Sequence, residues 1–373
     1  MYWILLLGLA LAWILQTILI RRMWQQGLSV ELRFRDRYIY EGDSCALQEI
    51  VTNDKWIPLP ALEVRIAMSR HLAFTGESVQ NSGVSDQTYK RDVFSFLFHQ
   101  QVTRTLSFTG KKRGCYEIRQ ADLKAYDFFF RPLDYATVPQ STMLYVYPAQ
   151  IDTKRLNIIT TAISGAILVQ NKLFPDPFEF SGIREYQPTD PMNHINWKAT
   201  MRMGTPLVNQ FDSTTSLDLN LIFDMEDSHI RKEEALLEET IRIVSSLAAR
   251  LVAARMPLVL YSNAAVGSEK TQLSPVELPA NGSHMSELNQ QLACINGYTV
   301  SCTKLLDSIE LSKQKKQMHV FISKNTDEEI IRSVGGLATA SSPVLWIIPK
   351  SPYTRQPDIT LPFVQTIFWE VEL

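Results

Sequence analysis

The sequence predicts an α+β multidomain protein: an N-terminal transmembrane helix, an antiparallel β-sandwich, then a Rossmann-like α/β domain. Three observations predict it. An uncharged apolar run fills residues 2–20. Residues 28–150 alternate apolar and polar side chains between frequent turn signals, the pattern of half-buried strands. From residue 215 the period changes, and near-continuous apolar strands alternate with helical stretches. That alternation belongs to a largely parallel sheet covered by helices.

Composition bounds the function. A chain of 373 residues exceeds one ordinary domain. Hydrophobic residues make up 45% and charged residues 20%, enough apolar material for real cores. A net charge of −2 without a dense Lys/Arg stripe gives no field for nucleic acid. No GxxxxGK[ST], GxSxG or HExxH occurs, and the six histidines are scattered. The sequence therefore predicts neither an enzyme nor a small-molecule substrate site. Cys45, Cys115, Cys294 and Cys302 lack metal spacing and read as free, mostly buried thiols of a reducing compartment.

Taken in order, the chain falls into four parts: an anchor over 1–23, a β-domain over 28–150, a connector over 151–214 and an α/β domain over 215–373. The anchor would reach about 28 Å as a helix at ~1.5 Å per residue, close to the hydrocarbon thickness. Arg21 and Arg22 follow it, and Trp24 suits a membrane interface. Basic flanks prefer the cytoplasmic side, which predicts a single-pass protein of the cytoplasmic (inner) membrane with its bulk in the cytoplasm. Ala10-Leu11-Ala12 leaves a cleaved signal peptide as the alternative. In the β-domain the run Phe128-Phe129-Phe130 reads as core or interdomain contact. Residues 158–169 read as helix or loop. Beyond them, a strand ends at Asp224, and residues 232–255 carry Leu236, Ile243, Leu247 and Leu251 near helical spacing. Further strands end near Ser262 and at Ser323-Lys324-Asn325. Functional residues of such sheets sit at these carboxyl ends.

The densest stretch lies between the two domains, at 180–211. Arg184, Glu185, Tyr186, Asp190, Trp197, Lys198 and Arg202 stand there within one short segment. One reading makes Tyr186 and Trp197 interior anchors ringed by an ion network of Arg184, Asp190, Lys198 and Arg202. Another makes the segment a docking surface, since Trp and Arg are hot-spot residue types. His194 reads as a hydrogen-bonding group, not as a catalytic base.

The pattern F-S-G-I-R-E-Y-x-x-x-D-P at 180–191, followed by I-N-W-K-A-T-x-R at 195–202 and a strand ending at Asp224, resembles domain of unknown function family 58 (DUF 58). The stretches around Gly110 and Tyr145 are similar to that family's β-domain. Thr189 and Asn193 depart from its usual glycine and arginine. The family more often carries two membrane spans, where this chain shows one. The resemblance implies a membrane-anchored β-domain followed by a von Willebrand factor A-like domain, and association with MoxR-type AAA+ ATPases. A Mg²⁺-binding domain of that type uses D-x-S-x-S after its first strand. Here the loop reads Asp224-Met225-Glu226-Asp227-Ser228, and Lys324 stands where a second aspartate is needed. The metal site is therefore expected to be degenerate, with the Lys324 ammonium neutralising Asp224 in place of the ion. The predicted function is a membrane-tethered adaptor or scaffold working with a MoxR-type AAA+ ATPase in the assembly or activation of other proteins, without a cofactor. The alternative is a Mg²⁺-dependent ligand-binding module.

Overall fold

The computed structural model describes residues 2–75, 87–173, 180–188, 190, 192–211, 218–227, 233–267, 269–273, 275–311, 317–354 and 356–371. The chain divides into two compact units. One is Met1–Ala149 with Asn289–Cys294, the other Gln150–Leu288 with Ile295–Leu373.

The first unit runs α1 (Tyr2–Met23), β1 (Leu28–Phe34), β2 (Tyr38–Tyr40), β3 (Ser44–Asn53), β4 (Leu59–Ser69), β5 (Leu72–Phe74), β6 (Gln87–Phe96), β7 (Gln100–Gly110), β8 (Gly114–Tyr126) and β9 (Pro132–Tyr147). Two sheets, ordered β1-β3-β7-β5 and β2-β9-β8-β4-β6, enclose one apolar core. Leu47 and Val51 enter it from β3, Val64 and Ile66 from β4, Phe94 and Phe96 from β6. All pairings are antiparallel except β2 beside β9. Gly27 opens this unit at φ +64°, where a Cβ would lie 2.7 Å from the Asp54 carbonyl oxygen. Only glycine fits both the left-handed backbone and that close approach.

Two expectations for this unit are corrected. Residues 2–23 do form helix α1, but among the described residues no helix is long and apolar enough to cross a membrane. The expected single-pass anchor, and the placement in the cytoplasmic membrane that followed from it, are not supported by this structure. Leu7, Leu11, Leu15 and Ile18 of the helix are exposed, while Trp13 and the residue just past the helix, Trp24, meet other parts of the unit. Trp24 is 1% exposed and lies in the β core, not at an interface. The Trp13 ring stands edge-on to Phe129 at 6.4 Å, and the Arg131 guanidinium lies 5.2 Å from its centroid. The second correction concerns Phe128-Phe129-Phe130, which is exposed. Asp127 Oδ1 accepts from the N–H groups of Phe129 and Arg131, both at 2.8 Å. That turn, with Phe130 at φ 57°, carries the three rings out of the core.

The second unit runs α2 (Thr153–Leu173), β10 (Phe180–Glu185), a 3-10 turn (Met192–His194), α3 (Trp197–Met203), β11 (Leu207–Phe211), β12 (Asp218–Phe223), α4 (Glu234–Ala253), β13 (Leu258–Ser262), β14 (Ala264–Val266), β15 (Thr271–Gln272), β16 (Val276–Leu278), α5 (Met285–Ala293, whose last turn falls in the first unit), β17 (Ile295–Tyr298), α6 (Cys302–Leu311), β18 (Gln317–Ile322), α7 (Glu328–Leu337), β19 (Val344–Lys350) and β20 (Val364–Glu370). The stretch 158–169, open between helix and loop, is helical. A six-stranded sheet is ordered β16-β13-β12-β18-β19-β20, with β16 antiparallel to β13 and the other neighbours parallel. β12 and β18 are buried along nearly their whole length, which explains their unbroken apolar sequence.

The expected Rossmann-like, von Willebrand factor A-like domain is corrected as well. Strand predominates, spread over several sheets, and among the described residues no clear domain of that kind is present. The strand–helix alternation breaks after β13. The chain does not enter a covering helix there. It turns through Gly267 at φ +73° and spends the crossover on β14, β15 and β16. β16 pairs back on β13, while β14, β15 and β17 form a small antiparallel sheet of their own.

The β core of the first unit also holds charges. Glu49 of β3 is fully buried, and among the described residues neither carboxylate oxygen has a donor. Asp92 of β6 pairs with Lys90 at 3.0 Å and with Arg104 at 2.6 Å. Burial first, then the Asp92 charge, push the Glu49 carboxyl from its ordinary 4.5 up to about 7, against the pull of Lys90 and Arg104. The folded value lies above the unfolded one, so folding favours the protonated acid. The stability this supplies is full below 4.5 and is lost as pH rises through about 7. Glu49→Gln should remove that dependence. In chemical denaturation of the full chain, the variant should gain about 2–3 kcal/mol on wild type as pH rises across this window.

Candidate functional site

Two constellations in the second unit carry the residues singled out by sequence. The first is the 180–211 segment. β10 and β11 pair antiparallel with a bulge between Phe180 and Gly182. Arg184 grips Asp190 bidentately, Nη1 to Oδ2 and Nη2 to Oδ1, both at 2.7 Å. Asp190 Oδ2 also accepts from the Gln187 N–H at 2.9 Å, so the pair closes the turn after β10. The hydrogen bonds to Asp190 first, and its charge after them, hold the Arg184 guanidinium above its ordinary pKa. Tyr186 N–H bonds the Pro206 carbonyl at 2.9 Å, which tethers the same turn to the opposite strand. Glu185 is exposed at the end of β10.

Helix α3 is then set by its ends. Asn196 caps it, Oδ1 accepting from Ala199 N–H at 3.0 Å while Nδ2 donates to Asn209 Oδ1 of β11 at 2.7 Å. Thr200 Oγ1 accepts from Leu207 N–H at 3.0 Å. Gly204, at φ 76°, stops the helix in the left-handed conformation and returns its N–H to the Thr200 carbonyl. None of the seven helical residues is buried.

This overturns the interior-anchor reading of Trp197, whose side chain is 63% exposed. The ion network is narrower than expected too. Arg184 and Asp190 pair, whereas Lys198 and Arg202 are exposed and make no ion pair with a described residue. Met201 is 85% exposed, and Met192, Met203 and Ile183 of the same segment are exposed too. Trp197 and Met201 stand at i and i+4, on one face of the helix, as do Lys198 and Arg202 on the adjoining one. The methionines escaped the sequence reading, although their spacing from Trp197 was the available signal.

The second constellation surrounds Asp224, fully buried directly after β12. Its Oδ1 accepts from Asn263 Nδ2 at 2.7 Å and from Glu226 N–H at 2.9 Å. Its Oδ2 accepts from Ser323 Oγ at 2.7 Å and from Asn325 Nδ2 at 2.9 Å. Asn263 and Asn325 also fix the loop, through Met225 N–H and the Glu226 carbonyl, both at 2.8 Å. Glu226 accepts from Cys302 N–H at 2.8 Å, at the start of α6. Burial first, then Asp224 and Glu226, push the Cys302 thiol far up, so it stays protonated and donates to Asp224. Lys324 is buried, but its Nζ pairs with Asp227 at 2.8 Å and approaches Glu233 at 3.9 Å. The expected Lys324–Asp224 neutralisation is thus replaced by hydrogen bonds from neutral donors. Ser228 lies outside the described residues.

A cation at Asp224 would have to displace donors that already occupy both carboxylate oxygens, and hard ions need those lone pairs free. Among the described residues no three His, Cys, Asp or Glu side chains gather as a ligand set. Among the described residues, the side chains around Asp224 therefore do not fit a Mg²⁺ site. Asn325→Ala would remove one of the two donors to the buried Asp224 Oδ2 and free the Glu226 carbonyl. It should cost about 2–3 kcal/mol in the unfolding free energy of the full chain, read by urea titration. An unchanged midpoint would show that Asp224 does not depend on this donor.

Comparisons with known proteins add the following. A CARDB domain from Pyrococcus furiosus, solved in complex with di-metal ions, is 14% identical, with 31% of this chain and 90% of that chain covered and a TM-score of 0.20. A non-cellulosomal cohesin from Archaeoglobus fulgidus is 8% identical, with 31% and 91% covered and a TM-score of 0.22. The sixth cohesin of scaffoldin B from Acetivibrio cellulolyticus, solved with a dockerin, is 14% identical, with 31% and 99% covered and a TM-score of 0.21. At such scores these likenesses carry no argument about fold or function. No curated protein matches the chain. Residues 182–339 match the family described as "Protein of unknown function DUF58", which supports the family membership that the 180–202 signature suggested.

Proposed function

We propose that the protein is an interaction module, an adaptor or scaffold that docks another protein through the α3 platform. One observation carries this reading: Trp197 and Met201 project from a helix that buries none of its residues, yet is fixed at both ends. A large aromatic ring held rigidly in water gains nothing for the fold. It becomes useful when a partner covers it, and tryptophan is the residue type most enriched at binding hot spots. Methionine adds an adaptable apolar surface. Lys198 and Arg202 beside it suit a partner segment that is both acidic and apolar. The family resemblance supplies the candidate partner, a MoxR-type AAA+ ATPase, and with it a role in the assembly or activation of other proteins.

The reading requires no chemistry from this chain. Cys302, the thiol closest to buried carboxylates, is held protonated and so is a poor nucleophile. A Mg²⁺-dependent ligand-binding module, the second reading, finds less support because Asp224 already has its hydrogen-bond donors.

The test separates binding from folding. Trp197→Ala and Met201→Ala in the full chain should leave the unfolding free energy within about 0.5 kcal/mol of wild type, as exposed positions do. Trp197→Ala should weaken binding of a purified MoxR-type ATPase by at least tenfold, roughly 1.4 kcal/mol or more, read by surface plasmon resonance. Wild-type affinity in both variants would remove α3 as the docking surface.

A further inference from the structure

Two of the four cysteines meet within the first unit. Cys115 is the second residue of β8 and stands opposite Tyr145 of β9. Cys294 ends the segment Asn289–Cys294, which packs as part of the same unit. Arg113, one residue before β8, holds that segment in place. Its Nη1 donates to the carbonyl oxygens of Leu292 at 3.1 Å and Ala293 at 3.2 Å, the two residues before Cys294. Leu292 and Ala293 are buried, and Cys294 N–H bonds back to Gln290 and Gln291, both at 3.1 Å. Both chain segments are therefore fixed where their cysteines face each other. The two thiols lie within hydrogen-bonding reach of one another, and the Tyr145 phenol is pushed up by burial first and then by the charge of both sulfurs. Cys115 is exposed and Cys294 partly so, whereas Cys45 and Cys302 are buried.

We propose that Cys115 and Cys294 form a reversible dithiol–disulfide site, oxidised by low-molecular-weight disulfides of the glutathione class. The environment of each sulfur assigns its role. The Cys294 thiol donates to Cys115 and lowers its pKa, against burial and the nearby Glu117 charge. Cys115, exposed and the more acidic, is the attacking thiolate. It displaces one glutathione thiolate from oxidised glutathione and forms a mixed disulfide. Cys294 is held protonated chiefly by its bond to Cys115, then by burial. Once the Cys115 sulfur is capped, that hold is gone, and the Arg113 guanidinium favours the Cys294 thiolate. Cys294 loses its proton to solvent and attacks the Cys115 sulfur, expelling the second glutathione thiolate. Two protein thiols and one oxidised glutathione thus become one protein disulfide and two reduced glutathiones. The product ties the 289–294 segment covalently to β8.

The test uses the full chain, reduced, desalted and exposed to oxidised glutathione, then quenched in acid, alkylated and digested for mass spectrometry. Wild type should yield a Cys115–Cys294 linked peptide, lose two of its four alkylatable thiols and regain both with dithiothreitol. Cys294→Ser should stop at glutathione on Cys115, with an adduct at least about tenfold longer-lived than in wild type. Cys115→Ser should leave Cys294 modified at least about tenfold more slowly than Cys115 is in wild type. The proposal is overturned if wild type accumulates only the mixed disulfide, or links either cysteine elsewhere. Equal adduct lifetimes in wild type and Cys294→Ser also overturn it. The wild-type peptide map decides the matter even if a serine variant folds poorly.

Discussion

Much of the second unit depends on one buried carboxylate. Asp224 follows β12 at the centre of the six-stranded sheet and is fully buried. An ion taken out of water needs compensation of several kcal/mol. Compensation comes from Asn263 just past β13, from Ser323 and Asn325 just past β18, and from the chain's own N–H at Glu226. Each donor thereby pins the loop it belongs to. Asn263 fixes Met225, Asn325 fixes Glu226, and Glu226 in turn holds the first N–H of α6. The carboxylate is thus the knot at which three strand ends and a helix start are gathered. Because the donors are neutral, the arrangement keeps its negative charge inside the rim, and Lys324 is free to serve Asp227 instead.

Much of this was legible from residues, and the failures have physical causes. Strand ends at Asp224, Ser262 and Ser323 follow from apolar runs that stop at polar residues, and they stand there. The partner of Lys324 was misjudged because reach along a loop is invisible in sequence. Asp227 lies only three residues from Asp224, yet it meets the ammonium while Asp224 turns inward. Asn263 was missed because an asparagine after a strand carries no signal beyond a turn. Helix α6, and the small sheet of β14, β15 and β17, were missed because short strands and a ten-residue helix give too few periods to register. Residues 2–20 illustrate the reverse error. Their apolar count is plain, but sequence does not reveal that Trp13 meets Phe129 and Arg131, or that Trp24 goes into the β core.

Aromatic residues were the least readable class. By sequence, Trp197 is open between interior anchor and docking residue, and the Phe128 to Phe130 run between core and interdomain contact; the structure exposes them, which rules out the core readings. In both places a polar device outweighs the apolar side chain. Asp127 orders a turn that lifts three phenylalanines outward. Asn196 and Gly204 set both ends of a helix whose axis leaves Trp197 in solvent. Capping bonds of about 1 kcal/mol each fix the direction of larger side chains because the backbone has no competing arrangement to offer.

Helix α3 is held by its caps and by the Thr200 and Asn196 bonds to β11, and by none of its own side chains packing inside. Its outward residues are therefore uncoupled from the unfolding equilibrium. Mutation at 197, 198, 201 or 202 meets almost no folding constraint, so selection at these positions answers to whatever touches them. Trp197, Lys198 and Arg202 nevertheless belong to the segment by which the chain resembles its family, so what holds them there lies outside the fold's own packing. Met201 stands at the open position of that segment, and two chains that differ there would present different surfaces on the same scaffold.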